Sequence, residues 1–109
     1  MSLGAADMAF ALELFDDIPD LTTRRMFGGM GFYSGGTIFA LQLSDGRVLL
    51  KAPKGPFAER MHDLGGTQWR YARKNGETAA MPYWTLPDAS LDDPENACAL
   101  ARQAMEALR

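Results

Sequence analysis

The sequence predicts an α+β fold: a mostly antiparallel sheet of about five to six strands, with N-terminal, middle and C-terminal helices packed on one side. Three observations predict it. Apolar residues recur at helical spacing in three stretches, near the two ends of the chain and once between them. Short runs of alternating apolar and polar residues separate those stretches, bounded by turns such as Ser34-Gly35-Gly36, Ser44-Asp45-Gly46 and Asn75-Gly76. The strands follow one another in groups rather than alternating with helices, and that order implies antiparallel pairing.

The first helix is predicted over Ala5 to Ile18. Met8, Leu12 and Phe15 fall at i, i+4 and i+7 and form its apolar stripe. Pro19 ends it, because the residue before a proline is biased away from helix. Leu21 to Tyr33 reads as strand, a break at Gly28-Gly29, and strand. Thr37 to Leu43 is the clearest strand, with Phe39, Leu41 and Leu43 on one face and Ile38, Ala40 and Gln42 on the other. Ser44-Asp45-Gly46 turns the chain into a partner strand, Arg47 to Ala52, with Val48 and Leu50 on one face and Arg47, Leu49 and Lys51 on the other.

Pro56 suits the first turn of a short helix, Pro56 to Leu64, which Gly65-Gly66 caps. Thr67 to Arg73 is a strand with Trp69 and Tyr71 on one face. Ala79 to Thr85 is the last strand. Pro82 has no N–H to give to a ladder, so this strand is expected at an edge or bulged. Asp93 caps a final helix with Pro94 at its first position. Cys98, Ala101, Met105 and Leu108 form its apolar face, thickened by Ala97, Leu100 and Ala104.

A chain of 109 residues with 47% hydrophobic and 23% charged content is expected to be one globular domain, residues 1–109. No apolar run approaches the ~20 residues needed to cross a bilayer. The N-terminus lacks the basic and then apolar regions of a signal peptide. A single cysteine, Cys98, rules out an internal disulfide and suits a reducing cytoplasm. The net charge of −3 is unevenly spread. Leu21 to Asn75 carries nine Lys/Arg against three Asp/Glu, and the rest carries two against eleven. A basic middle can face a polyanion, or it can be neutralised by the acidic ends packed beside it.

No constellation carries catalysis. Phe27-Gly28-Gly29-Met30-Gly31 is followed by a strand, whereas a phosphate loop needs a helix after it. The glycines therefore read as a bend or bulge. His62 lies one step off an apolar stripe and is expected in solvent. Cys98 sits among alanines and is expected to be a small buried residue. One His and one Cys cannot hold structural zinc, so no metal, cofactor or catalytic residue is assigned. Arg24 and Arg25 point to opposite faces of a strand. Each either recognises an anion or partner, or pairs with a carboxylate such as Asp16 or Asp17. Phe27, Met30, Phe32 and Tyr33 either fill the core or form a contact surface. Trp69, Tyr71, Tyr83 and Trp84 pack across strands, or stack bases with Arg70, Arg73 and Lys74.

The stretch Arg24-Arg25-Met26-Phe27-Gly28-Gly29-Met30-Gly31-Phe32-Tyr33 resembles the signature of the N-terminal domain of the TfoX/Sxy competence regulators. The match continues through Gly36, Phe39-Ala40-Leu41, Leu49-Leu50-Lys51 and Phe57, and resumes at Met81-Pro82-Tyr83-Trp84 with Leu86-Pro87. It spans nearly the whole chain. The longer regulators carry a second, helical domain after this one, so the chain, ending at Arg109, resembles a stand-alone member. The resemblance implies an α+β domain of the bacterial cytoplasm, no known catalytic activity, and an association with control of genes for DNA uptake. The expected function is regulation through protein contacts, with a second copy of the chain among the candidate partners. Arg24, Arg25, Met26, Phe27, Gly28, Gly29, Gly31, Lys51, Tyr83 and Trp84 are the signature residues expected to mark the interaction. Direct nucleic-acid binding by the basic central sheet and small-ligand binding stand as alternatives. No membrane partner is expected.

Overall fold

The computed structural model describes residues 3–26 and 28–108. These form helix α1 (Ala5–Leu14), strands β1 (Leu21–Met26), β2 (Gly29–Ser34), β3 (Thr37–Gln42) and β4 (Val48–Lys51), helix α2 (Pro56–Asp63), strands β5 (Gln68–Ala72) and β6 (Thr78–Thr85), and helices α3 (Asp88–Leu91) and α4 (Pro94–Ala107). The strands make one six-stranded sheet in the order β1-β2-β3-β4-β6-β5, with antiparallel neighbours throughout. The first four follow as a meander. Helix α2 then carries the chain past β4 to the far edge, and β6 returns between β4 and β5.

The larger core lies between the sheet and the helices. Side chains from α1, α2 and α4 meet Met30, Phe32, Phe39, Ala40, Val48 and Leu50 there. Its centre is Phe15, whose ring stands edge-on to Phe32 at 5.3 Å and to Phe39 at 5.2 Å. Edge-to-face rings place the positive rim of one on the negative face of the other, which adds to the gain from burying them.

Two expectations about α1 are corrected. The helix ends at Leu14, not Ile18. Beyond it the backbone tightens from four-residue to three-residue hydrogen bonds, with Phe15 N donating to Ala11 O, Asp16 N to Glu13 O and Ile18 N to Phe15 O. That extra twist brings Phe15 and Ile18 into the core. Of the expected stripe Phe15 is buried and Met8 packs against the core, with Ala11 beside them, but Leu12 is left 40% exposed and Leu14 and Ile18 take its place on the buried side.

The face assignment of β3 is also corrected. Phe32 pairs with Ala40 but Tyr33 pairs with Ile38, so Phe39 is an extra residue without its own partner. Such a bulge breaks the two-residue alternation. Phe39 and Ala40 both enter the helix-side core, while Ile38, Leu41 and Leu43 join a cluster on the opposite face. Pro82 behaves as the bulged alternative requires, not the edge alternative. Strand β6 is interior, and its register with β5 shifts between Gln68 and Arg70, beside Pro82. The carbonyl of Pro82 accepts from Ala52 N at 2.8 Å, just past the β4 ladder. The sheet edges are β1 and β5.

The end caps follow the sequence, with one addition. Asp93 Oδ1 accepts from Asn96 N at 3.1 Å at the start of α4. Gly65 takes a φ of 94° after α2, as a helix C-terminus needs. The addition is the short α3, which starts without a side-chain cap. Ser90, fully buried within it, donates to the Asn96 side chain and ties α3 to α4. Gln42, buried in β3, donates through Nε2 to the carbonyls of Asp7 and Gly46 at 2.9 and 3.2 Å. It thereby fastens α1 to the β3–β4 turn.

Candidate functional site

A second hydrophobic cluster lies on the face of the sheet away from the helices. Leu41, Leu43, Leu49 and Tyr83 are its buried members, with Met26, Ile38, Trp69 and Met81 packed over them. No helix residue takes part. Leu49 nevertheless has no exposed surface and Leu41 only 2%. Neighbouring side chains on the twisted sheet supply the cover, and the outermost are two methionines, an isoleucine and a tryptophan, all half-buried. Methionine is flexible and polarizable, and suits a surface that must adapt to what it meets.

The family stretch builds one end of this face. Arg24 lies directly across from Gly31, and Gly31 from Leu41. Residues opposite one another in an antiparallel ladder share a face, so Arg24 belongs to the open side. Its guanidinium stands over the Tyr33 ring, 5.6 Å from the centroid. Gly31 leaves the room that Met26 and Ile38 occupy: a Cβ there would lie 3.1 Å from Ile38 Cδ1 and from Met26 Cε and Sδ. Gly29 serves the backbone instead, since its Cβ would fall 1.9 Å from the carbonyl oxygen of Gln42. Gly28 turns the chain between β1 and β2 with a φ of 74°. Phe27 lies outside the described residues.

At the other end, Lys51 pairs with Tyr83, which places its ammonium stem beside the same cluster. Burial pushes the Tyr83 phenol above its ordinary value, and the nearby Tyr33 phenol adds to the rise. Trp69 stands edge-on to Tyr71 at 6.2 Å and to Tyr83 at 6.4 Å. Arg24, Met26, Gly31, Lys51 and Tyr83 are thus brought to one face. Arg25 and Trp84 are not. Arg25 is opposite Met30 and belongs to the helix side of the sheet, at its edge. Trp84 packs against the helix-side core with its ring edge-on to His62 at 5.9 Å.

The proposed pairing of Arg24 or Arg25 with Asp16 or Asp17 is not found. Asp17 Oδ2 accepts from Arg102 of α4 at 3.0 Å. Neither Arg24 nor Arg25 makes an ion pair among the described residues. Asp17 is thus engaged by α4 on the helix side and does not reach the cations of β1.

Ile38, Leu41, Leu49 and Met81 form floor and cover of this face without having stood out as site residues in the sequence, whereas Trp69 stood out only as a ring for cross-strand packing or base stacking. The alternation of Leu49 with Lys51 carried a signal for part of it. The bulge at Phe39 hid the rest by inverting the apparent faces of β3. His62 has a largely exposed side chain. Cys98 is buried, and its Sγ donates to Leu14 O at 3.1 Å. Burial raises the Cys98 thiol above its ordinary value, against the opposing pull of the Asp17 amide and the Arg102 charge. A buried, protonated thiol that hydrogen-bonds a helix end is a packing residue, not a nucleophile.

Another hollow, of about 700 Å³, opens on the helix side beside α2. It is lined in part by Lys54, Gly55, His62, Gln68 and Trp84. Among the described residues, no three His, Cys, Asp or Glu side chains are grouped to hold a metal ion. No helix among them is long and apolar enough to cross a membrane.

Compared with known families, residues 13–108 match the model of the TfoX N-terminal domain. The chain belongs to the TfoX N-terminal domain family. The match takes in every strand, α2, α3 and α4, and both ends of the open face. The family is a regulatory one, and this TfoX N-terminal domain is competence-regulator-like in that sense. A comparison with curated proteins gives no match.

Proposed function

We propose that this TfoX N-terminal domain is a non-enzymatic regulatory module that acts by binding a protein partner on the open face of its sheet, in the control of genes for DNA uptake. The observation that carries this reading is a soft apolar floor, roofed by Met26, Ile38, Trp69 and Met81, beside an Arg24 with no carboxylate partner among the described residues. An arginine already held over Tyr33 loses little freedom on binding and offers a planar fork to a partner's carboxylate. Half-buried apolar side chains gain by losing the rest of their water. Catalysis is not part of the reading, because this face carries no nucleophile paired with a base.

Direct nucleic-acid binding would use the same face, since Trp69, Tyr71 and Tyr83 lie on it together with Arg24 and Lys51. The rings favour a protein partner. Trp69 stands edge-on to both Tyr71 and Tyr83, and Tyr83 is buried, so of the three only Tyr71, 47% exposed, keeps a large open surface, while strand binding needs a run of flat faces open to successive bases.

Two measurements test the reading. Sedimentation at high micromolar concentration, with affinity capture at lower concentration, is expected to give a defined complex that Arg24→Glu abolishes without unfolding the domain. A self-association lost in that variant identifies the partner as a second copy. A monomer that captures nothing removes the reading. A gel shift at low salt that fades steeply as salt rises would favour nucleic acid instead.

A further inference from the structure

Helix α1 poses a separate question. Its ten residues are apolar on every side except at Asp7 and Glu13, yet only Ala11 and Leu14 are buried. A helix that is apolar all round belongs in an interior. Phe10 instead stands 40% exposed, although it is among the largest apolar side chains of the helix.

Phe10 is not on a bare convex surface. Two hollows, of about 580 and 150 Å³, meet at Phe10 and Leu91, between α1 and the α3–α4 segment. Val48, Leu86 and Leu14 add apolar walls. Leu14, Val48 and Leu86 lie almost wholly buried beneath, so Phe10 and Leu91 supply the open apolar surface of the trough, with Thr67 and Thr85 along the larger hollow. Its rim is acidic: Asp7 and Asp88 stand at one hollow, and Glu13 and Asp92 at the other. None of these four makes an ion pair among the described residues. The one cation that lines it, Arg47, is already engaged with Asp45 at 2.9 Å.

We propose that this trough docks a basic amphipathic helix of a partner protein. The apolar stripe of such a helix covers Phe10 and Leu91, and its flanking lysines or arginines meet the carboxylates on both rims. Charge complementarity selects the sign of the partner. The backbone selects its conformation. The strand ends in the floor are already paired, with Leu86 N donating to Val48 O and Thr85 N to Thr67 O, both at 3.0 Å. An extended segment would find no free ladder there and would bury unpaired backbone groups, whereas a helix satisfies its own. This surface faces away from the open sheet, and the inference does not rest on the function proposed for that face.

The test uses a fluorescein-labelled synthetic peptide of leucine and lysine, with leucine at helical spacing on one side. Fluorescence anisotropy with the full chain is expected to show saturable binding. Affinity should fall about tenfold or more when the same residues are scrambled so that no apolar stripe remains, and again with Phe10→Ala in the protein. The pair Glu13→Gln and Asp92→Asn, which keeps the shape, should weaken it similarly and flatten its salt dependence. Arg24→Ala should leave it unchanged. Equal binding of ordered and scrambled peptides would reduce the effect to net charge and overturn the proposal. So would indifference to both the Phe10 and the carboxylate variants, or an Arg24→Ala loss of the same size. A self-association of the chain that Phe10→Ala removes would assign the trough to a second copy and would equally overturn it.

Discussion

Leu49 and Leu50 are neighbours in β4, and neither has any exposed surface. Leu50 points toward the helices and is covered by them; Leu49 points away and is covered only by side chains of the sheet itself. Equal burial is therefore reached in two ways. On one side, whole elements must move before water enters. On the other, the cover is made of single side chains, flexible Met26 and Met81 among them. A face of the second kind is dry enough to be stable alone and loose enough to be remodelled by a partner.

The largest expected effect tests that comparison directly. Leu50→Ala should cost toward the upper end of the ~2–5 kcal/mol range for such truncations, because the helix-side core cannot collapse onto the gap. Leu49→Ala should cost nearer the lower end, about 2 kcal/mol, because the methionine cover relaxes into it. Urea unfolding of the two variants reads the difference, and equal losses would mean the open face is packed as rigidly as the core.

The two glycines of β2 sharpen the same contrast. A Cβ at Gly29 meets a backbone carbonyl at 1.9 Å, which cannot withdraw without parting β2 from β3. Gly29→Ala should destabilise by about 1–3 kcal/mol or more. A Cβ at Gly31 meets only the flexible ends of Met26 and Ile38 at 3.1 Å, so Gly31→Ala should cost less than about 1 kcal/mol. Thermal melts of both variants check the ranking.

Tyr83 gives a pH-dependent probe of the open face. Its phenol ionises by losing a proton, and its folded value is raised. The neutral form is thus favoured in the fold. The associated stability is complete below the unfolded phenol value near 10 and is lost as pH climbs through the higher folded value. Phenolate absorbance should show one tyrosine titrating late, and Tyr83→Phe should remove that step together with the alkaline loss of stability. The smallest effect belongs to the exposed Asp17–Arg102 pair, where Arg102→Ala should change stability by only ~0–1 kcal/mol.

The fold was largely legible because its signals are local. Asp93 and Pro94 announce α4, Pro56 and Gly65 bracket α2, and glycine-bearing turns separate the strands. What was not legible depended on tertiary geometry. The bulge at Phe39 arises from a register between β2 and β3 that no alternation rule reveals. The interior place of β6 depends on α2 carrying β5 to the edge first. The early end of α1 follows from the fit of Phe15 between Phe32 and Phe39. The open face was half legible: the Arg24–Tyr33 stretch drew attention to one end of it. Its floor was masked because Leu41 and Leu49 look like ordinary core residues until the helices are seen to lie on the other side. Charge alone could not tell whether Arg24 faces a partner or Asp17, because the competing claim of Arg102 comes from 85 residues along the chain.

In-cell photo-cross-linking tests the claim that the uncovered side of the sheet is the recognition side. Benzoylphenylalanine is placed at Tyr33 on that side and, separately, at Arg60 on α2. A discrete protein adduct from Tyr33 that disappears when Arg24→Glu is added, with none from Arg60, is the expected result. Adducts of equal yield from both positions, or none from Tyr33, would contradict it.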